Sequence, residues 1–144
     1  MKHKLLLSVI APVLSLAPPL RAEACQASTL NGGYAGTVSG QNTNGVPVAY
    51  QAIAHFDGAG KFSLSGFTEV QNGAVLVANA SASGGTYTVN ADCSGVIEIP
   101  TPAGTFKFNI LITGLQFAQF QMLETDGSAT ATGNAIRQQN DRDR

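Results

Sequence analysis

Tryptophan is missing from this chain, and histidine, cysteine and methionine occur only twice each. Charge is scarce as well, with 8 Lys and Arg and 9 Asp and Glu among 144 residues. Each shortage excludes something. Past residue 24 the basic residues are Lys61, Lys107, Arg137, Arg142 and Arg144, scattered or alternating with acids. Such a set cannot displace counterions from a run of phosphates, so no nucleic-acid partner is expected. With His55 the one histidine in that region and both cysteines expected to be oxidised, no closed zinc site assembles, and no metal ligand is nominated. There is no Gly-x-Ser-x-Gly elbow, phosphate loop, dinucleotide fingerprint or calcium loop. No catalytic residue and no cofactor is therefore expected, and a binding or structural role is favoured over an enzyme.

What is present begins with Lys2, His3 and Lys4, an apolar run from Leu5 to Leu20, and Ala22-Glu23-Ala24. A basic start, an apolar stretch and small residues at its end describe a cleaved signal peptide over 1–24. The run contains Pro12, Pro18 and Pro19 and falls short of the roughly 20 residues of a spanning helix, so no membrane span is expected. The chain reads as exported, periplasmic or extracellular. Past that segment remain five bases and eight acids, a mild acidity, in a single domain over 25–138 with a polar tail over 139–144. Cys25 and Cys93 form an even pair in an oxidising compartment and are expected to bond to each other. Cys25 also stands where a lipoprotein carries its acyl group. Glu23 and Ala22 depart from that signal, and Cys93 would be left odd, so anchoring through Cys25 is the less favoured reading.

Helical spacing of apolar residues is absent past residue 24, and glycine recurs every roughly 8 to 12 residues, the rhythm of a sandwich or barrel. Nine strands are expected: Gly33–Ser39, Val46–Phe56, Gly60–Phe67, Ala74–Ala82, Thr86–Ala91, Val96–Ile99, Thr105–Thr113, Gln116–Glu124 and Ser128–Gln138. Alternation is clearest in TFKFNILIT, where Phe106, Phe108, Ile110 and Ile112 share one face. The same parity joins Val48, Tyr50, Ala52, Ala54 and Phe56 in the second strand, Phe62 with Leu64 in the third, and Phe120 with Met122 in the eighth. Turns are expected at Asp57–Gly60, Asn72-Gly73, Ser83–Gly85 and Thr125–Gly127, all built from residues that accept positive φ. Strands joined this tightly are antiparallel neighbours, so the expected fold is all-β, a single antiparallel up-and-down β-barrel of eight or nine strands. An outer-membrane barrel fits poorly, because it needs aromatic girdles that a chain without Trp lacks.

The segments LNGGYAGTVSG (30–40), HFDGAGKFSLSG (55–66), GGTYTVNADCSG (84–95) and FQMLETDGSATATGNAIRQ (119–138) together resemble a group of small secreted bacterial proteins. Their barrels are similar to calycins, lipocalins among them, and to allene oxide cyclase. The resemblance covers nearly all of 25–138 and rests on turn and disulfide signatures. It implies a fold; the isomerase activity of allene oxide cyclase follows from it only by analogy. In calycins a Gly-x-Trp near the first strand is covered by a basic side chain from the end of the barrel. Gly32-Gly33-Tyr34 and Arg137 stand at similar positions, which implies a barrel-closing pair, Tyr34 and Arg137, with Tyr in place of Trp.

Two readings of the interior stay open. Leu76, Ala78, Ala80 and Ala82, and Ala129, Ala131, Gly133 and Ala135, share parities that would set small residues against the rings and fill a narrow barrel. Alternatively, rings and alanines line a cavity for one small apolar ligand. Its walls would then be Phe56, Phe62, Phe106, Phe108 and Phe120, with Tyr50, Tyr87 and Glu124 as polar anchors. Glu124 follows Met122 by two and either points inside or reaches water at the strand end, the latter being favoured. His55 lies on the parity opposite Ala54 and Phe56 and is expected to face solvent. The function expected first is lumenal binding of a small hydrophobic ligand. A non-catalytic structural or interaction module of the cell envelope comes second, and an isomerase-like enzyme third.

Overall fold

The computed structural model describes residues 24–102 and 104–139, so the expected leader up to residue 23 and the tail beyond 139 lie outside the described residues. Eight strands follow in order: β1 Asn31–Asn42, β2 Pro47–Asp57, β3 Lys61–Gln71, β4 Ala74–Val89, β5 Ser94–Thr101, β6 Gly104–Thr113, β7 Gln119–Glu124 and β8 Ala129–Arg137. Each is antiparallel to the next, and β8 returns to β1 to close a barrel. Among the described residues no helix is long and apolar enough to cross a membrane.

The count is eight because the turn expected at Ser83–Gly85 is not one; the two strands placed around it are the single strand β4. A Cβ on Gly84 would collide with the Phe62 carbonyl of β3, and one on Gly85 with the Glu98 carbonyl of β5. These glycines admit close backbone approach from both neighbours and do not reverse the chain. The seam between β1 and β8 uses the same device, since a Cβ on Gly40 or Gly133 would strike the opposite strand's backbone. The other expected turns form. Asp57 Oδ1 accepts the amides of Ala59 (2.7 Å) and Lys61 (2.9 Å), Asp126 Oδ1 accepts that of Ser128 (2.7 Å), and Asn72 and Gly73 both take positive φ. β7 starts at Gln119, later than expected, because Gln116 and Phe117 adopt left-handed backbone in a short 3-10 turn, Leu115–Phe117.

One end of the barrel is plugged. The 3-10 turn Ala27–Thr29 lies beneath it, followed by Leu30, which has no exposed surface. Two tethers hold this segment. The Cys25–Cys93 disulfide fixes its start, and the Tyr87 hydroxyl donates to the carbonyls of Ala27 (3.0 Å) and Leu30 (2.9 Å). Above the plug, Tyr34, Phe56, Phe62, Tyr87 and Phe120 form a ring cluster with Phe56 at its centre. Its neighbours lie 5.0 to 5.8 Å away between centroids, mostly edge to face.

The other end is built differently. β2 and β3 slip by one residue between Gln51 and Ile53, where Gly66 takes φ 61°, and the β3–β4 ladder shifts repeatedly, with Asn79 at φ 49°. A β-bulge reverses the alternation beyond it. In consequence Glu69 stands opposite Tyr50 and Val77 opposite Glu69, and Leu76, expected inside with Ala78, is 55% exposed. The ladder between β4 and β5 covers only Thr86–Val89 against Gly95–Glu98. Beyond it, the first half of β4 and the end of β5 run on as two separate lips.

Candidate ligand-binding lumen

The interior is filled over one half and hollow over the other. β8 contributes Ala131 and Ala135 to the core, both buried. Above the ring cluster opens a cavity of about 710 Å³. Of the residues proposed from sequence as its walls, Phe56, Phe62 and Phe120 form the floor, and Phe106, Phe108 and Tyr50 the sides. Leu64, Phe67, Glu69, Ile99 and Met122 complete much of the rest. The lips border it too, through Ala82 and Gly84 on β4 and Ile99, Pro100 and Thr101 on β5.

The three tyrosines divide the work. Tyr34 is wholly buried, donates to the Phe117 carbonyl at 3.2 Å, and carries the Arg137 guanidinium 5.9 Å from its ring centroid. Arg137 is also the residue opposite it on β8 and donates to the Asn31 carbonyl at 2.7 Å. Burial pushes the Tyr34 phenol up, with Arg137 acting against the shift. Tyr87 lies outside the cavity lining, since its hydroxyl serves the plug. Tyr50 is the tyrosine at the hollow end, half-buried and facing Phe67 and Phe106 at 6.3 Å. Burial, reinforced by the fields of Glu124, Glu69 and Asp126, pushes its phenol up to about 12, so at neutral pH it stays protonated and can donate.

Glu124 points inward, against the favoured reading. It stands opposite Phe108 on β6 and is only 5% exposed. Its Oε1 accepts the Ser128 hydroxyl at 2.6 Å, while Oε2 is buried without a partner among the described residues. Burial pushes its carboxyl up, Ser128 opposes that, and Asp126 adds to it. Although Glu124 ends its strand, Ser128 of the following turn donates to its carboxyl, and the side chain stays buried.

Glu69 was legible only as a carboxylate past an expected strand end. The signal that would have placed it is Gly66: a glycine inside a strand marks a bulge, after which Phe67 and Glu69 take up the inward parity. His55 is exposed on the outer wall, as expected, with Nε2 3.0 Å from Ser65 Oγ. Nearby, Glu98 pairs with Lys107 at 2.8 Å across β5 and β6. On the outer wall, over β6, β7, β8 and β1, a depression of about 680 Å³ includes Thr37, Gln121 and Asn134 in its lining and no titratable side chain.

Compared with known protein families, with curated proteins and with solved structures, the chain finds no significant match.

Proposed function

We propose that this chain is an exported β-barrel that holds a small apolar ligand in its lumen. The observation that carries the reading is the cavity of about 710 Å³ above the ring cluster, walled mainly by Phe, Ala, Ile, Leu and Met side chains. That size lies within the roughly 300 to 1,000 Å³ range of small-molecule pockets, which combine an apolar lining with a few placed polar groups. Here those groups are the Tyr50 hydroxyl and the Glu69 carboxylate. The apolar leader-like segment over 1–24 and the Cys25–Cys93 disulfide suit an oxidising compartment outside the cytoplasm. The calycin-like pairing of Tyr34 with Arg137 belongs to the same proposal.

The test is uptake of a neutral apolar fluorophore, N-phenyl-1-naphthylamine, by the purified protein. Saturable uptake with one site per chain is expected, and Ala54→Trp, which fills the lumen from β2, abolishes it while circular dichroism stays that of a β-protein. Absence of saturable uptake by the parent chain would overturn the reading. A second reading, an interaction module of the cell envelope, draws on one observation. Residues 70–91 carry no charge, and Val75 and Leu76, on the stretch of β4 paired to β3 alone, are 61% and 55% exposed.

A further inference from the structure

We propose that the lumen selects a guest with a cationic head on an apolar body, the head seated among Tyr50, Phe67 and Phe106 beside the Glu69 carboxylate. This rests on the lumen-binding reading and adds the chemistry of the head group.

The first support is the charge inventory of the cavity. Among the described residues its lining includes the carboxylate of Glu69 and no Lys, Arg or His. The described basic side chains are all elsewhere. Lys107 pairs with Glu98 on the outer wall, Lys61 and His55 are exposed on theirs, and Arg137 sits at the plugged end against Tyr34. A carboxylate head placed here would meet like charge with no base to offset it. An ammonium head meets its counter-charge.

The second support is the arrangement of rings. Tyr50 lies 6.3 Å from Phe67 with planes nearly parallel at 16°, and 6.3 Å from Phe106 with planes tilted at 58°. All three rings border the same space as Glu69. The faces of aromatic rings carry negative potential, and several rings beside a carboxylate form the setting in which alkylammonium groups are held. The bulges produce this grouping, since both Phe67 and Glu69 face inward only because the alternation reverses at Gly66.

The third support is Glu124. It is buried inside the barrel with Oε2 unpartnered among the described residues, and its field and that of Glu69 both bear on the Tyr50 hydroxyl. Glu124 is not itself among the lining residues, and the side-chain donors that are, the Tyr50 phenol, Gln51 and Thr101 among them, are all neutral. Below, the ring floor accepts an apolar tail.

The experiment displaces N-phenyl-1-naphthylamine with three guests of equal chain length below their micellar range: decyltrimethylammonium, decanol and decanoate. The ammonium is expected to bind at least about tenfold more tightly than decanoate, with decanol between them. The preference shrinks as salt is raised, because it is electrostatic. Glu69→Gln removes most of the preference for the ammonium over decanoate. Glu98→Gln, on the outer wall, leaves it intact, which separates a site effect from general surface charge. Equal binding of the three guests, tighter binding of decanoate, or a preference unchanged in Glu69→Gln would overturn this inference and leave lumenal binding standing. Failure of all three guests and of the fluorophore to bind would instead overturn the lumen reading. Should Glu69→Gln not fold, the salt titration of the parent chain decides the matter, a salt-independent preference counting against the proposal.

Discussion

At Glu124 the barrel buries a carboxylate oxygen that no group among the described residues bonds, and the consequence is measurable. Burial raises its folded-state pKa above the ordinary value near 4.5, so the folded protein favours the protonated form more than the unfolded chain does. The stability linked to this group is therefore fully present below about pH 4.5 and is lost as pH climbs through the raised value. Gln keeps the acceptor for Ser128 and carries no charge. Glu124→Gln is expected to match the parent chain at pH 4 and to exceed its stability by about 1 kcal/mol at pH 7.5, read from urea unfolding at both pH values. A difference of the same size at both would show that packing, and not ionisation, sets the cost.

Among the elements, β4 shows how far pattern reading reaches. The inward set of β6 was legible because Phe106, Phe108, Ile110 and Ile112 alternate without interruption and the strand pairs in register on both sides. β3 and β4 were legible only up to their bulges. Gly66 and Asn79 reverse the faces, which concealed Phe67, Glu69 and Val77 and misplaced Leu76. Likewise Ser83–Gly85 has turn composition, and only its two neighbouring strands reveal that the glycines serve close approach. Gly84→Ala would meet the Phe62 carbonyl at a positive φ of 71°. It is expected to cost about 3 kcal/mol. Gly73→Ala, at φ 79° but with open space around it, should cost only about 1 kcal/mol. Denaturant midpoints of the two variants measure the contrast; equal costs would mean that Gly84 is held by its dihedral alone.

For the molecule as a whole, the plug and its two tethers set the stability. Removing the disulfide as Cys25→Ser with Cys93→Ser is expected to cost about 2 to 5 kcal/mol, and Tyr87→Phe, which removes the hydroxyl that donates to the Ala27 and Leu30 carbonyls, about 1 to 2 kcal/mol. Both tethers clamp the same segment, so the combined variant should lose less than the two costs together; strict additivity in urea unfolding would argue that the segment is secured elsewhere. Closure itself was legible from short turns between successive strands, whereas the parting of β4 from β5 was not, because strand patterns carry no record of where a ladder stops. That parting has a mechanical consequence. Ile99–Thr101 share no rungs with β4, so backbone pairing holds that stretch of wall on its β6 side alone. A cylinder laddered to its rim has one fixed bore; if the lumen binds as proposed, guests of unequal girth are expected to fit here by outward movement of the β5–β6 rim with every ladder rung kept.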